Sequence, residues 1–227
     1  MDASAIFLDA FLNRAVIDRY LPDILKGMVV TVEIALAVVA TGIALGLALA
    51  ALRSFRVRAV NAAIVLFVDV FRALPPLVVI LIVYFGLPSV GITLSGFAVL
   101  WLVLSLALAA FAEEIFWSGI LSIRKGQWEA ARSTGLTFVQ TLVWVILPQA
   151  VRMTVPPLTN RTIAITKNSA LGAVIGVPEI LMQAQTAQSF SGNATPLLLG
   201  AIAYIVLFVP VVGLGRWLET RFAWGRS

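Results

Sequence analysis

An all-α bundle of five membrane-spanning helices is the fold class predicted for this chain, and three observations predict it. The 227 residues are 61% hydrophobic and only 12% charged, against about 25% charged in soluble domains, and mean hydropathy is +1.02. Five runs have the length of about 20 mainly apolar residues that a spanning helix needs. Lys and Arg gather in alternate connections between those runs, the pattern by which charge sets orientation.

Residues 1–27 form a lead-in. Its segment 9–26 mixes Phe11, Leu12, Val16, Ile17 and Tyr20 with charges. It reads as an amphipathic helix in the membrane interface or as a solvated approach to the first span. With several acids and no uninterrupted apolar core, a cleaved signal peptide is not expected. The first span, 28–52, is interrupted only by Glu33 near its start. The second, 60–87, holds Asp69 and Arg72, three residues apart and placed to pair within one helix. Pro75-Pro76 then break or kink it. The third, 92–113, is free of charge through Ala112, and Glu113 and Glu114 read as solvated caps at its end. The fourth, 155–177, carries Arg161 and Lys167. The fifth, 196–217, is free of charge through Gly215, and 218–227 form a tail.

Arg53, Arg56 and Arg58 follow the first span; Arg124, Lys125, Arg132 and Arg152 follow the third; Arg216, Arg221 and Arg226 close the chain. Connections 88–91 and 178–195 have neither Lys nor Arg. The alternation predicts an outer N-terminus and a cytoplasmic C-terminus. It also supports the fourth span, without which two basic segments would lie on opposite sides. The net charge of +5 is read as anchoring at the cytoplasmic face, not as nucleic-acid binding. The chain has no His and no Cys, which excludes disulfides, thiol nucleophiles, ordinary zinc sites and the usual general base. No metal site and no catalytic residue are expected.

The fourth span is too polar for lipid. A central Arg or Lys costs about 2.5–3.5 kcal/mol on insertion scales, so this helix must face protein or a water-filled cavity. Thr159, Thr162, Thr166 and Ser169 recur on one helical face. Asn160 and Lys167 form a second line roughly 120° round. With Asn168, and with Asp69, Arg72 and Pro75 of the second span, they make a candidate substrate path. The same residue types also serve as glue between helices, with Lys167 pairing an acid such as Asp69 or Glu114. Both readings are open at this level.

The segment 124–150 reads locally. Gly126 opens it, QWEAARST is helix-compatible, and Gly135 stops that helix as a left-handed cap. Thr137 with Gln140 three residues on has the form of a capping box. A second short helix then passes Val143 and Ile146 until Pro148 ends or kinks it. Ala130 and Ala131 leave a small-residue face for another backbone, Glu129 adds a charge, and Trp128 an apolar anchor. A surface hairpin without a partner has the same local pattern.

Here a resemblance becomes specific. Glu129, Ala130, Ala131, Gly135, Val145, Leu147 and Pro148 fall on the spacings of the EAA motif of ABC-importer permeases, Val145 standing where Ile is more usual. FRALPPLVVILIVYFGLP (71–88), AEEIFWSGILSIRKGQWEAA (112–131) and PPLTNRTIAITKNSALGAVIGVPEI (156–180) are similar to stretches of the permeases for polar amino acids. The chain departs from them at Trp117, where Arg is frequent, at Ala73-Leu74 in place of Gly-Thr, and at Asn168-Ser169-Ala170 in place of Asp-Thr-Ser. The resemblance implies a type I ABC importer permease fold in the bacterial inner membrane. It implies that Gln127, Glu129, Ala130, Ala131, Gly135, Leu147 and Pro148 couple the chain to a cytoplasmic ATPase subunit, present in two copies. ATP and Mg would sit on that subunit; this chain has no GxxxxGK[ST] and no cofactor is expected on it. A second permease chain, identical or related, and a periplasmic amino-acid-binding protein that meets the outer loop from Pro178 to Pro196 are also implied. The KNSA form at 167–170 leans toward glutamate, aspartate or glutamine as cargo. The alternative is a stand-alone secondary carrier or channel, which has no need of the EAA spacing. A membrane enzyme is a distant third, since no nucleophile–base set is visible.

Overall fold

The computed structural model describes residues 3–222, and it is helical almost throughout; the last five residues of the expected tail lie outside the described residues. Helix α1 spans Ala3–Phe11 and α2 spans Arg14–Arg53. The stretch 9–26 is therefore not one separate interfacial helix. It divides at Asn13, whose side chain accepts the Val16 N–H at 3.2 Å and caps α2. From Arg14 onward the lead-in is simply the first turns of the first span. At 1.5 Å per residue, forty residues make a rod of about 60 Å, roughly twice the hydrocarbon thickness.

Helix α3, Arg58–Ala73, and helix α4, Pro76–Gly86, meet at 102°. The cause is local. The residue before a proline is pushed to extended backbone, and Leu74 and Pro75 both take it, at ψ 133 and ψ 130. The expected kink is thus a full corner, continued by a short 3₁₀ turn, Leu87–Val90. Helix α5 spans Gly96–Ser122, capped by Ser95. It continues well past Glu113 and Glu114, so those acids lie within the helix and are not its solvated caps.

Helices α6, Lys125–Ser133, and α7, Phe138–Thr141, follow. A π turn, Leu142–Ile146, then leads without a break into α8, Leu147–Lys167. Pro148 does not end the helix. Its ring would crowd the carbonyl four residues back, that of Trp144, and the wider π turn absorbs the conflict. The Leu147 N–H bonds to the Leu142 carbonyl, and the Gln149 side-chain amide donates to the Val145 carbonyl at 2.6 Å. After Lys167 the span tightens to a 3₁₀ stretch, Asn168–Ile175, that stops at left-handed Gly176. The outer connection expected as a polar loop holds helix α9, Ile180–Ser191. Helix α10, Thr195–Phe222, closes the described chain.

Four of these stretches are long and apolar enough to cross a bilayer, and the bent pair supplies a fifth when taken as one span. Helix α5 is the central one: 61% of its apolar window is buried, against 17% for α10. It is hydrophobic all round, which suits a helix with neighbours on every side. Its main partner is α2, whose buried residues recur every three or four positions from Ile24 to Ala50. Gly42 and Gly46 let the two backbones close up. A Cβ on Gly46 would lie 2.6 Å from the Ala112 methyl and 2.9 Å from the Ala109 carbonyl oxygen. Gly46→Leu is therefore expected to cost about 1–3 kcal/mol by overpacking, read as a lower unfolding temperature in detergent.

Candidate functional site

Three regions hold the residues that sequence singles out: the α6–α7 corner, the polar stretch of α8, and the end of α3 with Asp69, Arg72 and Pro75. In the corner, Trp128 stacks on Phe138 with centroids 5.5 Å apart, and Phe138 meets Phe55 edge-on at 5.3 Å. Ala131 is buried, and Trp128 and Phe138 pack against the core cluster of Phe116, Ile120 and Ile123. The opposite face of α6 presents Gln127, Glu129, Ala130 and Arg132 to solvent. Ala130 and Ala131 therefore do not share one outward face. Successive residues on a helix are about 100° apart, so one alanine packs inward and the other stays available. Glu129 is held by Lys125 at 3.3 Å along the same helix. Gly135 takes φ +89 and its N–H closes the turn on the Arg132 carbonyl at 3.1 Å. The capping box is complete: the Thr137 N–H donates to the Gln140 side chain at 2.8 Å, and the Gln140 N–H to the Thr137 hydroxyl at 3.3 Å. Pro148 is exposed and Leu147 half-buried at the start of α8. The result is a short amphipathic helix, pinned through Trp128 and Ala131, with a polar outer face open to a partner.

The polar residues of the spans sort differently. Asp69 does not pair with Arg72. Arg72 makes its ion pair with Glu114 of α5 and lies 5.6 Å from the Phe111 ring centroid. Asp69 is exposed and has no ion pair among the described residues. Arg161 covers Phe111 at 3.6 Å, so two guanidinium groups and one carboxylate gather around one ring. Pro75 stands at the corner between α3 and α4.

Thr159, Thr162 and Thr166 do face one cavity, of about 480 Å³, between α2, α8 and α10. Apolar side chains make up the rest of its wall. The Thr159 and Thr166 hydroxyls donate to carbonyls of their own helix, Val155 at 2.8 Å and Thr162 at 3.0 Å. Ser169 leaves this stripe. It does not line this cavity; it is fully buried, and its hydroxyl has no hydrogen-bond partner among the described residues. Asn168 is half-buried. Asn160 donates to Glu219 of α10 at 2.7 Å. Lys167 pairs with neither Asp69 nor Glu114. It lies 5.9 Å from the Phe208 ring and lines, with Tyr204 and Arg216, a cavity of about 630 Å³ between the end of α8 and α10.

Three further polar contacts escaped the sequence reading. Arg53 bonds both oxygens of the fully buried Glu113, at 3.1 and 3.2 Å, and covers the Trp117 ring at 4.8 Å. Trp117 thus acts as a wall for that arginine. Glu179 is fully buried at the start of α9. It accepts the Met182 and Leu181 N–H groups at 2.8 and 3.0 Å and the Tyr204 hydroxyl. Burial pushes its carboxyl above the ordinary 4.5, against the pull of those hydrogen bonds. Thr31 joins α2 to the same corner by accepting the Ile180 N–H at 3.4 Å. A run of two acids inside an apolar stretch, Glu113-Glu114, was the available signal for the first contact; nothing in the local pattern marked Glu179 as buried.

The family described as "Binding-protein-dependent transport system inner membrane component" matches residues 42–224. The "Probable glutamine ABC transporter permease protein GlnP" of Bacillus subtilis (strain 168) is 34% identical over 207 residues, covering 89% of this chain and 95% of that one. The "Arginine transport system permease protein ArtQ" of the same organism is 32% identical over 203 residues, covering 88% and 93%. Among solved structures, one described as "Crystal structure of an amino acid ABC transporter with histidines" superposes with a TM-score of 0.81 at 30% identity, covering 90% of this chain and 96% of that one.

Proposed function

The chain belongs to the family of binding-protein-dependent transport system inner membrane components, and on that premise we propose that it is the permease subunit through which a polar amino acid is imported, driven by ATP hydrolysis on a separate subunit. It is a multi-pass inner-membrane permease of the ABC importer class, whose family implies an ATPase partner and a binding protein. The observation that carries the coupling role is the α6–α7 corner. An amphipathic helix anchored by Trp128 and Ala131 leaves Gln127, Glu129 and Ala130 outward, a rigid surface that a moving partner can push. Closure of the ATPase would displace α6, and the unbroken run Phe138–Ile175 would carry that displacement into the span. This is rigid-body gating, biased by the partner's nucleotide state. ATP and Mg belong on the partner, present in two copies, with no cofactor and no ATPase activity on this chain. In this reading the basic loops are cytoplasmic, which puts α6 in the cytoplasm and the N-terminus outside.

A second permease chain, identical or related, is part of this reading. Lys167 is exposed on a helix of a single chain, and a membrane cation needs protein or water around it. The cavity it shares with Arg216 and Tyr204 is then closed by the second chain. The polar cargo favoured is glutamate, aspartate or glutamine, because Lys167 and Arg161 have no acid paired to them among the described residues. The relatives' own cargoes differ, glutamine for one and arginine for another. The test is uptake into vesicles holding this chain with its ATPase and binding protein. ATP-dependent accumulation of one of these amino acids is expected; uptake by the chain alone, driven by an ion gradient, would favour the carrier reading. Lys167→Met is expected to lower uptake or change the range of amino acids taken up. Normal uptake with unchanged range would remove Lys167 from the path.

A further inference from the structure

At the basic end of the bundle a cavity of about 620 Å³ opens between the end of α2, the last turns of α5, and α6 and α7. Phe55, Trp117, Trp128 and Phe138 are among its walls. Arg56 and Lys125 are its cations, and no carboxylate lines it. Lys125 already has a partner in Glu129, and Arg53 beneath is neutralised by Glu113. Arg56 has no ion pair among the described residues, so it supplies the unbalanced positive charge.

Arg56 also sits where an arginine is poorly suited. Its φ is +58, the only positive φ outside glycine among the described residues. A Cβ disfavours that region, and glycine or asparagine would hold it with less strain. A long cationic side chain kept at such a position indicates that the side chain itself is used. The spans that bound the cavity end at Arg53 and Ser122, so it lies where headgroups begin and where indole rings are at home. Phe55 and Leu121 at its edge are exposed and continue the cavity into an apolar surface.

A free anion needs no apolar wall, and a zwitterionic headgroup would find no carboxylate in the cavity lining for its ammonium, Glu129 being engaged by Lys125 outside it. We propose that this cavity binds the headgroup of an anionic phospholipid, its phosphate on Arg56 and Lys125 and the start of an acyl chain along Phe55 and Leu121. Such a lipid would tie the corner that carries α6 to the membrane surface. The site stands apart from whatever solute is transported; only its assignment to the inner leaflet rests on the proposed orientation.

Native mass spectrometry of the full chain, delipidated in detergent and titrated with phosphatidylglycerol or phosphatidylcholine, tests this. Phosphatidylglycerol should be retained roughly fivefold better, about what one cation near the surface contributes. Arg56→Gly keeps the left-handed backbone and removes the side chain with its charge, so the protein should stay folded, with an unfolding temperature no lower, while the preference disappears. Arg56→Lys should keep most of it. Equal retention of the two lipids, or a preference unchanged in Arg56→Gly, overturns the proposal. Displacement of phosphatidylglycerol by inorganic phosphate at equal concentration makes the site one for a free anion. Its loss when the ATPase subunit assembles gives the cavity to that protein; either outcome overturns the lipid assignment.

Discussion

Gly135→Val is expected to abolish transport while leaving the protein in the membrane with its helices intact. Gly135 is at φ +89, and no atom lies within 4 Å of where its Cβ would be. The substitution therefore meets no steric neighbour and acts only through the backbone. A β-branched residue is strongly disfavoured in that conformation, by on the order of 1–2 kcal/mol or more. The cheapest relief is to change the turn between Ser133 and Thr137, which re-aims α6. Gly135→Asn, which tolerates left-handed backbone, should keep more activity than valine. Glu129→Lys should have the same outcome as valine by a different route, since it places two like charges at i and i+4 with Lys125 and reverses the sign of the outer face. Uptake in membrane vesicles, with protein level checked in the membrane fraction, reads all three. Unimpaired uptake in Gly135→Val or Glu129→Lys would remove the coupling role from this corner.

Glu113→Ala should be the most destabilising single change in the bundle, by about 3–5 kcal/mol. Glu113 is fully buried, and Arg53 retains only 20% of its side-chain exposure. Removing the acid leaves a largely buried guanidinium against the Trp117 ring without its carboxylate. The penalty is that of an unpaired buried charge, larger than the net worth of the pair. Replacing both partners with apolar side chains, Arg53→Met with Glu113→Leu, should recover most of the loss. Thermal unfolding in detergent distinguishes the cases. A single mutant as stable as the parent, or a double mutant no better than the single, would show that the pair does not carry this part of the fold.

The backbone of the α6–α7 corner was legible because its determinants are local, whereas the inward turn of Ala131 was not. Gly135, Thr137 and Gln140 act within a few positions of one another, and both the left-handed turn and the reciprocal cap form where the spacing puts them. The corner at Pro75-Pro76 is legible for the same reason, though not its angle. Of the two outcomes expected at Pro148, an end or a kink, the helix does not end, because the cost of a proline depends on whether neighbouring turns can widen, and Leu142–Ile146 does so. The charges were misjudged for a different reason. Arg53 and Glu113 are 60 residues apart, and Arg72 and Glu114 sit on different helices. In a local reading Asp69 is the near partner for Arg72, yet the rotation of α3 against α5 decides otherwise.

By itself the sequence determined that this chain is a helical membrane protein, how its runs and basic connections alternate, and where a short capped helix interrupts them. These follow from hydropathy over about 20 residues and from backbone preferences over four or five. Only the tertiary structure decided which face of each span is inside. It buried Ser169, Glu113 and Glu179, paired Glu114 with Arg72, and left Lys167 and Arg56 without an ion pair among the described residues. The physical reason is one of range. Hydropathy and capping are summed along the chain, whereas burial and charge pairing depend on how whole helices rotate until small residues such as Gly42 and Gly46 meet, and no local pattern carries that angle.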